Sequence, residues 1–144
     1  MPRVLVVDSH AIFRKRVVDV VAESIPGASV DEAVDGREAL ARLEQARYKL
    51  VLLDISTPVR EGLEALGEIR SRHPELPVLI LSMHPEEEYA GLAFRAGASG
   101  FVRKARAAEE LAGAIRRVMA GERYKSASPD GDNDGTKHAA DGYR

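Results

Sequence analysis

The sequence predicts an α/β fold in which helices cover both faces of a parallel sheet. Short, continuous apolar runs alternate along the chain with amphipathic helical patterns, and five such pairs follow one another. Strict alternation of this kind is typical of a parallel, doubly wound sheet. The chain has 144 residues, which is enough for one domain with a sizeable core, so we expect a single five-stranded sheet.

The five predicted strands differ in polarity. Four are continuous apolar runs, which indicate strands that are buried on both faces of a sheet. These are residues 4–7, 50–53, 78–81 and the shorter 101–102. The remaining segment, residues 29–34, is more polar and therefore fits a strand at the edge of the sheet.

The predicted helices have recognisable ends. The first apolar pattern runs from Ile12 to Ile25 and stops at Pro26. The second opens with Asp35, and Glu38 follows three residues later, which is the spacing of a capping box. The fourth begins with a proline and three glutamates, as the positive end of a helix dipole favours. The third, fourth and fifth patterns end at Pro74, Gly97 and Gly121.

Composition excludes several classes of protein and separates a body from a tail. The chain has no Cys, which rules out disulfide frameworks and thiolate metal sites. Neither a signal peptide nor an apolar run of membrane-spanning length is present, so the sequence predicts a cytoplasmic protein without a membrane partner. We predict a folded domain over residues 1–124 and an acidic, disordered tail over 125–144. Residues 126–144 carry the whole net charge of −2.

The tail contains a spacing that resembles a calcium-binding loop. Asp130, Asp132, Asp134 and Asp141 follow the positions of EF-hand ligands. The last position is Asp instead of a bidentate Glu, and Lys137 stands where an apolar residue is expected. The sequence therefore favours a solvated acidic tail over a Ca²⁺ site between residues 130 and 141.

Polar side chains follow four of the predicted strands. Asp8 and Ser9 come after the first strand, Asp54 after the third, Ser82 after the fourth and Lys104 after the fifth. Because ligands of open α/β sheets bind at the carboxyl ends of the strands, we expect these groups to converge. Two carboxylates with Mg²⁺ and an ammonium suit the formation of an aspartyl-phosphate.

Several ordered motifs make the body, about residues 3–123, resemble the receiver domain of two-component response regulators. The resemblance is to CheY-like receivers in general and to those of NarL- and LuxR-type regulators in particular. It rests on residues 4–10, 51–58, 81–84 and 95–104. It implies a flavodoxin-like (βα)5 fold with the strand order 2-1-3-4-5.

The resemblance also implies roles for the residues at the strand ends. Asp54 would be the phosphoacceptor, and a histidine kinase or a phosphotransfer protein would donate the phosphoryl group. Lys104 would pair with that group. Asp8, Asp54 and the backbone carbonyl of Ser56 would hold Mg²⁺. Ser9 stands where the family usually has a second acid, so this metal ligand is weak or lost.

Ser82 and Phe101 would be the switch residues that change the surface formed by the fourth helix, fifth strand and fifth helix. Receivers of this kind carry out self-phosphotransfer and autodephosphorylation and turn over no external substrate, so we do not expect an enzyme. A homodimer is plausible by the same resemblance. The helix-turn-helix domain of NarL-type regulators has no counterpart in these 144 residues, which fit either a single-domain regulator or a piece of a longer one, and we expect no direct DNA binding by this chain.

Two alternatives remain open at this stage. Ser9 favours a pseudo-receiver, which would act as a phosphorylation-independent interaction or dimerisation module. A phosphatase of the haloacid-dehalogenase type would use Asp54 as its nucleophile, but it would need a second Asp where this chain has Ser56. We interpret His10 and His84 as loop residues that shape access, and residues 14–16 as a solvated helix face.

Overall fold

A computed structural model describes residues 2–55, 59–83 and 87–126. In this part of the chain, strands and helices alternate as predicted. The strands are β1 (Arg3–Val7), β2 (Ser29–Ala33), β3 (Leu50–Asp54), β4 (Val78–Ser82), β5 (Gly100–Arg103) and β6 (Tyr124–Lys125). The helices are α1 (Ala11–Ser24), α2 (Gly36–Gln45), α3 (Val59–Arg72), α4 (Glu87–Arg95) and α5 (Ala107–Met119), with a 3-10 turn over Lys104–Arg106.

All strands of the sheet run parallel in the order β2-β1-β3-β4-β5-β6. The predicted fold class and the order 2-1-3-4-5 are therefore confirmed. The expected count of five strands is too low by one, because the sequence does not predict β6. Its two residues form no apolar run, and their strand geometry comes from backbone pairing with β5. The predicted boundary between residues 124 and 125 falls inside this strand.

The core lies in two layers, one on each face of the sheet. Alternate residues of each central strand point to opposite faces, so β1, β3 and β4 are buried on both sides. The layer under α2, α3 and α4 contains Leu5, Val51, Leu53, Ile80 and Phe101. The layer under α1 and α5 contains Val6, Leu50, Leu52, Leu79 and Val102.

Local signals at the helix ends agree with the predictions that fall on described residues. The Asp35 side chain accepts a hydrogen bond from the Glu38 N–H at 2.9 Å, as expected for a capping residue. The Glu38 carboxylate in turn accepts from the Val34 N–H at 2.8 Å. Gly97 and Gly121 follow α4 and α5 with φ of +113° and +89°, a region that favours glycine. None of the helices within the described ranges has the length and apolar character needed to cross a bilayer.

Candidate functional site

The structure brings Asp8, Asp54 and Lys104 together at the carboxyl edge of the sheet. Asp8 follows β1, Asp54 is the last residue of β3, and Lys104 follows β5. The Lys104 Nζ atom lies 2.9 Å from Oδ2 of Asp8 and 3.3 Å from Oδ1 of Asp54. One ammonium thus stands between two carboxylates that come from different strands.

These three charged groups are almost completely removed from water. The side chains of Asp8, Asp54 and Lys104 are 1%, 8% and 4% exposed. The Lys104 ammonium also lies 4.4 Å from the centroid of the Phe13 ring, where the aromatic face attracts a cation. Burying charges is unfavourable unless they are paired, and here two carboxylates share a single ammonium. The arrangement therefore keeps an excess of negative charge.

The donor set fits a hard divalent cation. Oδ2 of Asp8 is buried and has no partner with hydrogen-bond geometry among the described residues, although the Lys104 ammonium is close to it. A cleft of about 160 Å³ opens beside Asp8 and Asp54, and Ser9, Asp35 and Glu61 also line it. Carboxylate oxygens facing a small polar cleft are the ligands that Mg²⁺ prefers.

His10 is closer to the site than the sequence suggested. Its ring Nδ1 lies 3.2 Å from Oδ1 of Asp8 and 4.0 Å from Oδ2 of Asp54. Its backbone N–H donates to the same Asp8 oxygen at 2.8 Å. One possible ligand atom each from Asp8, His10 and Asp54 lies within 4.8 Å of the others. The sequence signal for this contact is the position of His10 two residues after Asp8.

The interpretation of Arg14 as part of a solvated helix face is wrong. Its side chain is 17% exposed, and its Nη1 donates to the backbone carbonyl of Asp8 at 2.7 Å. Its Nε donates to Glu32 at 2.6 Å, and Glu32 belongs to β2. Arg14 therefore fixes the end of β1 against α1 and β2. Three adjacent basic residues gave no sign that the first of them points inward.

The other predicted site residues take three positions. Ser9 is exposed at the cleft. Ser82 is fully buried at the end of β4, one residue beyond Leu81, which pairs with Asp54. Phe101 is 2% exposed in β5 and packs in the core layer next to α4. Ser56 and His84 lie outside the described residues, as does the calcium-like spacing between residues 130 and 141.

Comparison with known proteins identifies the family. Residues 4–116 match the family model of the response regulator receiver domain. The chain belongs to this family of two-component receiver domains. Transcriptional activator protein ExaE of Pseudomonas putida is 38% identical over 121 residues, which are 84% of this chain and 56% of that protein. The chain thus spans little more than half the length of the curated relative it matches.

Two solved structures agree with this assignment. A LuxR-family response regulator from Aurantimonas sp. SI85-9A1 is 33% identical, with a TM-score of 0.79, over 97% of this chain and 96% of that one. A CheY-like receiver domain from Methanospirillum hungatei JF-1 is 23% identical, with a TM-score of 0.74, over 84% of this chain and 95% of that one. The second likeness shows the fold alone. The receiver family and its CheY-like architecture, predicted from the sequence, are confirmed.

Proposed function

We propose that this receiver domain accepts a phosphoryl group on Asp54 and thereby switches a protein-protein interaction surface. The observation that carries the proposal is the Lys104 ammonium, which lies 3.3 Å from Oδ1 of Asp54 inside a nearly dry site. A buried carboxylate beside a fixed cation can act as a nucleophile toward phosphorus. The donor is the phosphohistidine of a histidine kinase or a phosphotransfer protein, and we place the reaction in the cytoplasm.

In this transfer, a carboxylate oxygen of Asp54 attacks the phosphorus atom and forms a P–O bond. The P–N bond to the donor histidine breaks, and its electron pair returns to the imidazole. Lys104 stays within reach of the oxygens that gain negative charge, and its ammonium also lies 4.4 Å from the centroid of the Phe13 ring. Asp8, Asp54 and the Ser56 carbonyl would hold Mg²⁺, which when bound neutralises charge on the phosphoryl oxygens.

Ser9 distinguishes this site from one with three carboxylates. Its hydroxyl contributes a neutral oxygen at the cleft, so we expect weak Mg²⁺ binding. Two carboxylates still face the cleft, and the structure adds no observation in favour of the pseudo-receiver. The same site turns over no external substrate in our proposal, because its nucleophile keeps the phosphoryl group until water removes it.

The test is phosphorylation by a small donor. The full chain is incubated with acetyl phosphate and millimolar Mg²⁺, and its intact mass is followed with time. We expect a mass gain of one phosphoryl group that depends on Mg²⁺ and disappears in Asp54→Asn. Glu64→Gln, which changes an exposed carboxylate of α3 outside the cleft, is the matched control and should still be phosphorylated. An unchanged mass of the wild-type chain would contradict the proposal and support a pseudo-receiver.

A further inference from the structure

The segment Arg123–Ser126, which we call the C-terminal segment, lies against three elements at one edge of the molecule. It adds β6 to the free edge of β5, where the Ser126 N–H donates to the Phe101 carbonyl at 2.9 Å. The Arg123 guanidinium lies 5.2 Å from the centroid of the Phe94 ring on α4. The Tyr124 hydroxyl donates to Glu110 on α5 at 3.0 Å. The segment thus occupies the face formed by α4, β5 and α5.

Glu110 is the main side-chain anchor of this segment. Its carboxylate accepts hydrogen bonds from the Ser126 hydroxyl at 2.6 Å, the Tyr124 hydroxyl at 3.0 Å and Arg106 Nε at 2.9 Å. The Glu110 side chain is only 10% exposed. Burial alone would raise its pKa, but the hydrogen bonds from Ser126, Arg106 and Tyr124 outweigh burial and lower the pKa of Glu110. A buried carboxylate with three donors is a built acceptor site, since charge-assisted bonds are stronger than neutral ones.

Ser126 also contacts the backbone that leads into the functional site. Its hydroxyl accepts a hydrogen bond from the Arg103 N–H at 3.1 Å while its own N–H donates to the Phe101 carbonyl. Ser126 is 3% exposed. The next residue after Arg103 is Lys104, which stands between Asp8 and Asp54. One peptide unit therefore separates the bond to the C-terminal segment from the lysine of the site.

We propose that the edge of β5, together with Glu110, is a binding surface for an extended peptide strand with hydroxyl side chains. The C-terminal segment is the intramolecular occupant of this surface. Its occupancy is coupled to the phosphorylation state of Asp54. The coupling half rests on the function proposed above. Phosphorylation converts the Asp54 carboxylate, one of the two that contact Lys104, into an acyl phosphate, so Lys104 and the backbone beside Arg103 change position. The docked segment matches the unphosphorylated position, and phosphorylation releases it.

Release would expose groups that a second binder can use. The Arg103 N–H and the carbonyls of Ser99 and Phe101 are edge groups that β6 now satisfies. An uncovered strand edge is a template for pairing with another extended segment.

The docking half is tested by amide hydrogen exchange in two variants of the full chain. Glu110→Gln and Ser126→Ala each weaken the anchor, and Glu109→Gln is the matched control on the exposed side of the same turn. We expect the amides of residues 103 and 126 to exchange about tenfold faster in both variants, the loss expected for one hydrogen bond to a charged group. The Val51 amide in the core should be unchanged in all three variants, which shows that they are folded. Unaltered exchange at residues 103 and 126 in both variants would overturn the binding surface.

The coupling half is tested with Mg²⁺ and beryllofluoride, an analogue of the phosphoryl group. We expect faster exchange of the residue 103 and 126 amides when beryllofluoride is bound. Because coupling is reciprocal, beryllofluoride should bind more tightly to Glu110→Gln, in which the docked segment is weakened, than to the wild type. Binding without either effect would overturn the coupling alone. Failure of beryllofluoride to bind would overturn both the proposed function and the coupling. The binding surface is tested separately, by hydrogen exchange in Glu110→Gln and Ser126→Ala.

Discussion

Lys104 Nζ lies 3.3 Å from Oδ1 of Asp54, and both side chains are less than one-tenth exposed. The lysine is also 2.9 Å from Oδ2 of Asp8, so it contacts both acids. A single ammonium cannot neutralise two buried carboxylates. On the proposed function, this deficit of positive charge favours binding of a cation, and without one the two carboxylates repel each other.

The first prediction concerns this charge deficit. Asp54→Asn removes one of two neighbouring negative charges while keeping the shape of the side chain. We expect the free energy of unfolding at neutral pH to rise without Mg²⁺, because relief of charge repulsion and of the desolvation of a buried carboxylate exceeds the lost contact with Lys104. Two unit charges about 4 Å apart interact by about 4 kcal/mol at an effective dielectric constant of about 20, and the net gain is a fraction of this. Chemical denaturation monitored by circular dichroism measures the change. A clear loss of stability would show that Lys104 already satisfies both carboxylates.

The second prediction concerns Ser9. Ser9→Asp adds a negative charge at the cleft beside Asp8 and Asp54, so Mg²⁺ should bind about tenfold more tightly, since affinity at such sites follows ligand charge. Isothermal titration calorimetry of the variant and of the wild type gives the ratio. Ser9→Asn is the control, because it enlarges the side chain without adding charge. Equal affinity in the wild type and Ser9→Asp would show that another group or water already serves this position.

The third prediction concerns His10, whose ring lies beside both carboxylates. Imidazole suits Zn²⁺ and Ni²⁺ far better than it suits Mg²⁺, which prefers oxygen ligands. We therefore expect His10→Ala to weaken Zn²⁺ binding roughly tenfold or more, with little effect on Mg²⁺. Competition titrations with the two metals measure both affinities. An equal loss for both ions would mean that His10 only orients Asp8 through the contact between their side chains.

The fourth prediction concerns the acid response of the C-terminal segment. The pKa of Glu110 is lower in the folded chain than its ordinary value of 4.5, because the bonds from Ser126, Arg106 and Tyr124 exceed the effect of burial. A lowered pKa contributes stability above the ordinary value, and that contribution is lost as the pH falls through the folded value. The stability difference between the wild type and Glu110→Gln should therefore shrink in acid. Denaturation across a pH series checks this, and a difference that persists in strong acid would contradict it.

The alkaline side offers an independent check on the same contact. Burial, followed by the charge and hydrogen bond of Glu110, raises the pKa of Tyr124 from 10.0 to about 12. The neutral phenol is favoured in the folded chain, so its stabilising contribution is complete below pH 10 and is lost as the pH rises toward 12. An ultraviolet absorbance titration should show one fewer late-titrating tyrosine in Tyr124→Phe than in the wild type. Tyr48, whose pKa is also raised to about 12, remains in that variant as an internal reference.

The sequence determined the sheet well because its central strands are apolar on both faces. Runs such as residues 50–53 leave few alternatives to a buried parallel strand. The strand ends then predicted which edge carries Asp8, Asp54 and Lys104. The family resemblance supplied their roles, which spacing alone does not give.

The features that the sequence analysis missed all depend on contacts between distant parts of the chain. Arg14 turns inward because Glu32 and the Asp8 carbonyl lie near it only after β1 and β2 pair. β6 forms because Glu110 and the β5 edge lie beside it, and its own two residues carry no strand signal. From their polar surroundings in the sequence, Lys125 and Ser126 were predicted to belong to the tail. Their contacts with Phe101 and Glu110 join residues that are far apart in the sequence.

The measurement that tests the account most directly is a comparison of NMR chemical shifts between the apo chain and the chain with Mg²⁺ and beryllofluoride. The account predicts saturable shift changes at Asp54 and Lys104, extending to Ser82 and Phe101, and no such changes in Asp54→Asn. Absence of saturable changes at these residues, or identical changes in Asp54→Asn, would contradict a phosphoryl-operated switch centred on Asp54.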